Sequence, residues 1–133
     1  MGTTFAYLLC GSLVIYIAFM IRFILLSFKA HSNLVRFEYE NIREQWEKDG
    51  EPDGMLFWRA PTRSKKFKNR LFLSNPGVTS LIWKFKTPKW VKDYPQAQKY
   101  LKSMRMNSLV WNIGILFLMA LFFVMINMTQ LQK

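Results

Sequence analysis

The chain has 133 residues, of which 51% are hydrophobic and 17% aromatic. Its 19 basic and 8 acidic side chains leave a net charge of +11, and a single cysteine allows no internal disulfide. The apolar residues concentrate at the two ends and the charges lie between them, which excludes an ordinary soluble globule, a disordered chain and a disulfide scaffold. The length fits one unit, a single membrane unit over 1–133.

From Thr3 to Ile21 no residue is charged. Arg22 interrupts, and Phe23–Phe28 continues the apolar run. A helix needs roughly 20 such residues to cross about 30 Å of hydrocarbon. A first span over 4–26 follows. The start lacks the basic leader and small-residue cleavage site of a signal peptide, so the span is expected to be retained. Arg22 sits near the inner boundary, where a long side chain can snorkel to the headgroups. Cys10 reads as a small packing residue within the span.

Beyond the span the helical pattern persists. Ile24, Phe28, His31, Val35, Tyr39, Ile42 and Trp46 recur at spacings of three and four. Charges fill the other faces, and the first helix is expected to run to about residue 48. Gly50, Pro52 and Gly54 then stop it. Asp49, Glu51, Asp53 and Gly54 resemble the opening of a calcium loop. The twelfth position, which needs a bidentate Glu, holds Ala60.

The charges are segregated. Seven of the eight acids fall between Glu38 and Asp53, and from Arg59 to Arg105 thirteen basic residues meet only Asp93. Arg59, Arg63, Lys65, Lys66, Lys68 and Arg70 form an acid-free run, suited to contact with anionic headgroups at about 1 kcal/mol per basic residue. Trp58 precedes this run, Trp83 and Trp90 interleave with Lys84, Lys86, Lys89 and Lys92, and the three tryptophans read as interfacial anchors. No recognisable nucleic-acid module accompanies them. Asn75-Pro76-Gly77 reads as a turn. Leu81–Lys86 fits a short helix or a strand. Thr87-Pro88 and Tyr94-Pro95 look like helix starts. From Pro95 a helix with Ala97, Tyr100, Leu101 and Met104 on its apolar side leads into a second span over 108–128, 21 residues without a charge.

Basic residues flank the inner ends of both spans: Arg22, Lys29, Arg36, then Lys92, Lys99, Lys102 and Arg105. Only Lys133 lies beyond an outer end. The positive-inside rule puts residues 29–107 in the cytoplasm and both termini outside it. The expected fold is an all-α membrane protein, a two-span antiparallel helical hairpin whose long helices extend into a basic cytoplasmic region. Asn112 is expected to face the first helix near Arg22, with Gly114 allowing close approach.

Catalysis finds little footing here. The one histidine, His31, lies on the apolar stripe, and no cytoplasmic cysteine or second histidine accompanies it. No glycine loop for phosphates is present. No enzyme, cofactor or metal is expected.

The layout resembles the universal stress protein B family of small bacterial inner-membrane proteins. The likeness runs from Ser80-Leu81-Ile82-Trp83 through Lys92-Asp93-Tyr94 and the basic stretch Lys99–Arg105 into the second span. This resemblance implies a bacterial inner (cytoplasmic) membrane and a stress-related role, with no catalytic residues to carry over. The leading expectation is a non-enzymatic membrane protein acting through anionic lipid or a membrane-protein partner. The alternatives are an accessory subunit of a larger membrane complex and a holin-like or toxin-like homo-oligomeric pore. Against the pore, neither span carries a repeated polar stripe.

Overall fold

A computed structural model describes residues 2–61 and 75–131. Among them the structure is helical, without a strand. Helix α1 covers Gly2–Asn41, α2 Arg43–Lys48, α3 Pro76–Phe85 and α4 Pro95–Leu131, with a 3₁₀ turn over Lys89–Asp93. Helices α1 and α4 are both long and apolar enough to cross a membrane. Their contacts divide the chain into two compact units, one of residues up to Ile24 and from Asn107, the other Leu25–Met106.

In the first unit, only 6% of the most apolar window of either helix is buried. What contact there is involves small and aromatic side chains. The Tyr16 hydroxyl donates to the Gly114 carbonyl at 2.9 Å. The Tyr16 ring tilts against Phe117, with centroids 6.2 Å apart. A Cβ at position 114 would overlap the thioether of Met20. Gly114 therefore gives Met20 room on that side of α4.

The second unit has a conventional core. Ala30, Leu34 and Val35 of α1 pack with Trp46, Trp83, Trp90, Val91 and with Ala97, Leu101 and Met104 of α4. The two helical stretches are tied by the Ser27 hydroxyl, which donates to the Met104 carbonyl at 3.2 Å.

Three local features shape this unit, the first and last of them departures from the sequence reading. The expected single helix to residue 48 breaks at Ile42, whose φ of −138° and ψ of 58° leave the helical region. The break lets Trp46 turn into the core, edge-on to Tyr39 at 5.0 Å. Next, α2 ends in a Schellman turn. Gly50 takes φ 91°, and the Glu51 N–H reaches back to the Trp46 carbonyl at 2.9 Å. Glu51 follows with φ 54°, a left-handed setting that costs a non-glycine residue about 1–2 kcal/mol. The strap after it is held down on α1. The Trp46 indole N–H donates to the Pro52 carbonyl at 2.9 Å, and the Ser32 hydroxyl donates to the Met55 carbonyl at 2.7 Å. Gly54 lies so close to Ser32 that a Cβ would come within 2.9 Å of it. Finally, Asn75-Pro76-Gly77 is a helix start rather than a free turn. The Asn75 side chain accepts from the Gly77 N–H at 2.8 Å, with Pro76 at the first helical position. Leu81–Lys86, open between helix and strand by sequence, is helical to Phe85.

Candidate functional site

The features with chemical potential lie in the second unit. On α1, His31 and Glu38 stand seven residues apart, two turns along one face. Both are fully buried. The spacing from His31 through Val35 to Glu38 carries this signal in the sequence. The acidic neighbourhood of Glu38 masked it, because a carboxylate among charges reads as solvated.

His31 lays its ring against Trp83, centroids 5.5 Å apart. Neither ring nitrogen has a hydrogen-bond partner among the described residues. Burial, and then the positive charge of Lys84, lowers its pKa to about 4. It is neutral at physiological pH, an aromatic filler rather than a cation. Glu38 moves the other way. Burial first, and the Asp49 carboxyl second, raise its pKa to about 10. Its two oxygens lack a hydrogen bond of ordinary geometry among the described residues. The protonated form avoids most of the cost of burying a charge.

Beside this core a cleft of about 440 Å³ opens. Trp83 and Trp90 line it together with Lys48, Asp49, Lys86 and Lys89. The two indoles meet edge to face at 6.2 Å. Trp83 comes from α3, which Asn75 caps, and Trp90 from the 3₁₀ turn that follows Pro88. Three ammonium groups against one carboxylate give the cleft a cationic rim, and the indole faces give it an apolar wall. The cationic rim favours anionic groups.

The structure places the sequence-predicted residues as follows. Trp83 and Trp90, expected at the membrane interface, are buried in the core, 5% and 8% exposed. Aromatic packing accounts for this: Trp90 stacks on Phe37, and Trp83 packs at a tilt against His31. Trp58 is half-buried, edge-on to Tyr39 at 5.2 Å. Arg59 is exposed. Arg63, Lys65, Lys66, Lys68 and Arg70 lie outside the described residues. Arg22 is exposed. Asn112, expected to face it, donates its side-chain amide to the Ser108 hydroxyl of its own helix at 3.4 Å. No group of three or more His, Cys, Asp or Glu suited to a metal ion occurs among the described residues.

Comparisons with known proteins add no relative to this picture: no family model, no curated protein and no solved structure matches the chain.

Proposed function

We propose that this chain is a non-enzymatic integral membrane protein of the bacterial inner membrane. It forms an antiparallel two-span hairpin with both termini outside the cytoplasm. It acts through its basic cytoplasmic region on anionic lipid or on a membrane-protein partner. The observation that carries the reading is the exposure of the most apolar stretch of each long helix, of which only 6% is buried. In water that much apolar surface is unfavourable at about 25 cal/mol per Å², whereas in hydrocarbon it is already solvated. Tyr16 meets Gly114 and Phe117, while Met20, further along α1, meets Gly114, the earlier of the two, a falling register that supports an antiparallel pairing. The basic flanks support the orientation. The resemblance to the universal stress protein B family supports a stress-related role.

The experiment has a topological arm and a lipid arm. Cysteines introduced near Gly2 and Gln132, in a Cys10→Ser background, should react with an impermeant thiol reagent in intact cells. A cysteine at Gly54 should not. Labelling at Gly54 alone overturns the orientation. In the lipid arm, Lys65, Lys66, Lys68 and Arg70 are replaced by Gln in the full chain. Binding to anionic vesicles should weaken, by up to roughly 4 kcal/mol, and lose its salt dependence. Unchanged binding removes lipid as the target of this run and leaves a protein partner.

A further inference from the structure

A second groove, of about 410 Å³, lies where α4 approaches its apolar stretch. Val91, Leu101 and Met106 supply an apolar floor, and Lys92, Lys102 and Arg105 supply charge. Among the described residues no acidic side chain lines it.

The cations are of two kinds. Arg105 is held rigidly. Its Nε and Nη2 donate to the Trp83 carbonyl at 3.0 and 2.8 Å, and Nη2 also donates to the Thr87 hydroxyl at 3.0 Å. A guanidinium has five N–H donors in a fixed fork, so the two on Nη1 remain for a ligand. The Thr87 oxygen accepts from Arg105, which frees its own proton for donation. Lys92 and Lys102 are exposed, with long stems that can close over a bound group. The Gln98 amide donates to the Lys92 carbonyl at 2.7 Å, tying the backbone of Lys92 to α4. The result is one preorganised fork flanked by two mobile ammonium groups, a donor set suited to a phosphate.

The position along α4 selects the source of that phosphate. Arg105 is three residues from Ser108, where the uncharged stretch begins, a rise of about 4.5 Å. Gln98, Lys102 and Arg105 follow one another at helical spacing, and Leu109, Ile113 and Leu116 continue the series. All three of these apolar residues are exposed. Along α4 the cations Lys102 and Arg105 stand directly before the uncharged stretch, the order in which a phospholipid presents its phosphate and its acyl chains.

We infer that the groove formed by Lys92, Lys102, Arg105 and Thr87 is a binding site for the phosphate of an anionic phospholipid headgroup. The inference rests on the membrane reading of α4 and is independent of the basic run at 59–70.

The test uses the full chain purified in mild detergent, with lipid retention followed by native mass spectrometry. Phosphatidylglycerol is titrated against phosphatidylcholine, and glycerol 3-phosphate serves as a soluble phosphate. The wild type should retain one phosphatidylglycerol in preference to phosphatidylcholine, and millimolar glycerol 3-phosphate should not displace it. The double variant Lys92→Gln/Lys102→Gln should bind phosphatidylglycerol about tenfold more weakly or worse, with its phosphatidylcholine binding unchanged. Both lysines are exposed, so the fold should survive, which circular dichroism checks. Lys29→Gln/Lys99→Gln removes the same charge from exposed positions outside the groove and should leave retention intact. Equal losses in the two double variants, or no loss in the first, overturn the site. Displacement by glycerol 3-phosphate at equal concentration reassigns it to soluble phosphate and overturns the lipid. If the chain proves monodisperse without detergent, the membrane reading itself falls, an outcome separate from all of these.

Discussion

The two compact units spend similar residues in opposite ways. In the first, large apolar side chains point outward: Ile15 is 72% exposed and Phe122 67%. In the second, Trp46 is fully buried and the aromatic rings face one another. A mean hydropathy of +0.04 averages the two and describes neither. The lesson concerns solvent. Exposed hydrocarbon is a defect only in water, so the same phenylalanine that would have to be buried in one unit lies open in the other. Stability should therefore respond to substitution very differently on the two sides of the divide.

The largest break in that contrast should come from Trp46→Ala. It removes an indole that packs edge-on against Tyr39 and donates to the Pro52 carbonyl. Losses of this kind cost about 3–5 kcal/mol. Phe122→Ala, on an open face, should leave the thermal transition in detergent almost unmoved. Thermal unfolding followed by tryptophan fluorescence measures both. Equal destabilisation by the two variants would mean that Phe122 is covered by a partner the single chain does not contain.

Next in size is the response of the second unit to pH. Glu38 has its folded pKa raised to about 10 from an ordinary 4.5. Between those values the folded state holds more protons than the unfolded one. The contribution of Glu38 is therefore fully present below about pH 4.5 and is lost as pH rises toward 10. His31 has its pKa lowered to about 4 from 6.5. The unfolded state binds more protons in that window, so stability rises from pH 4 to 6.5. Between about pH 4.5 and 6.5 the two slopes oppose each other, so the melting temperature should stay nearly level there and fall above about pH 6.5 through Glu38. Glu38→Gln should remove the alkaline fall and uncover the rise through His31, and His31→Phe should extend the fall down toward pH 4.5. Melting curves at intervals from pH 4 to 9 give both slopes. An alkaline fall that survives Glu38→Gln assigns it to another group.

These two residues also mark what could and could not be seen in the sequence. The long apolar helices were legible because their signal is compositional and local: 18 or more uncharged residues need no tertiary context. The start of α4 at Pro95 and its buried face of Ala97, Leu101 and Met104 were legible by periodicity. The break at Ile42 was not, because nothing at Ile42 disfavours a helix; the kink is stabilised from a distance, by the burial of Trp46 and its bond to Pro52. Asn-Pro-Gly is ambiguous by nature, since one Asn side chain can close a turn or cap a helix. Trp83 and Trp90 have basic neighbours that point to an interface. Their burial depends on Phe37 and His31, more than forty residues away in the chain.

Within the first unit, Gly114 is the position where the contrast can be sharpened. A Cβ there would overlap the Met20 thioether and come within 3.1 Å of the Tyr16 hydroxyl. Gly114→Leu should force the helices to shift and cost about 1–3 kcal/mol. Met20 is flexible, which places the effect at the lower end. Gly11 has nothing within 4 Å of where its Cβ would stand. Gly11→Leu should accordingly be neutral in detergent. Circular dichroism melts of the two variants make the comparison. A harmful Gly11→Leu alongside a neutral Gly114→Leu would move the packing face from Gly114 to Gly11.

The smallest expected effects come from the charged surface of the second unit, where they separate two uses of one arginine. Arg43 pairs with Glu47 one turn on, at 3.4 Å, with both side chains well exposed. It also lies over the Tyr39 ring, 4.0 Å from the centroid, and 4.7 Å from that of Trp46. An exposed pair of this kind contributes a few tenths of a kcal/mol at most, since water screens it and two long side chains must be ordered. A guanidinium over an aromatic face contributes about 0.5–1 kcal/mol at an exposed site, and salt weakens it less. Glu47→Gln should therefore shift the melting temperature barely above error. Arg43→Met, which keeps the apolar stem and removes the charge, should shift it several times further. Raising the salt to 0.5 M should erase the first difference and leave most of the second. If Glu47→Gln proved as costly as Arg43→Met, and both effects vanished in salt, the ion pair would hold α2 in place and the aromatic contact would be incidental.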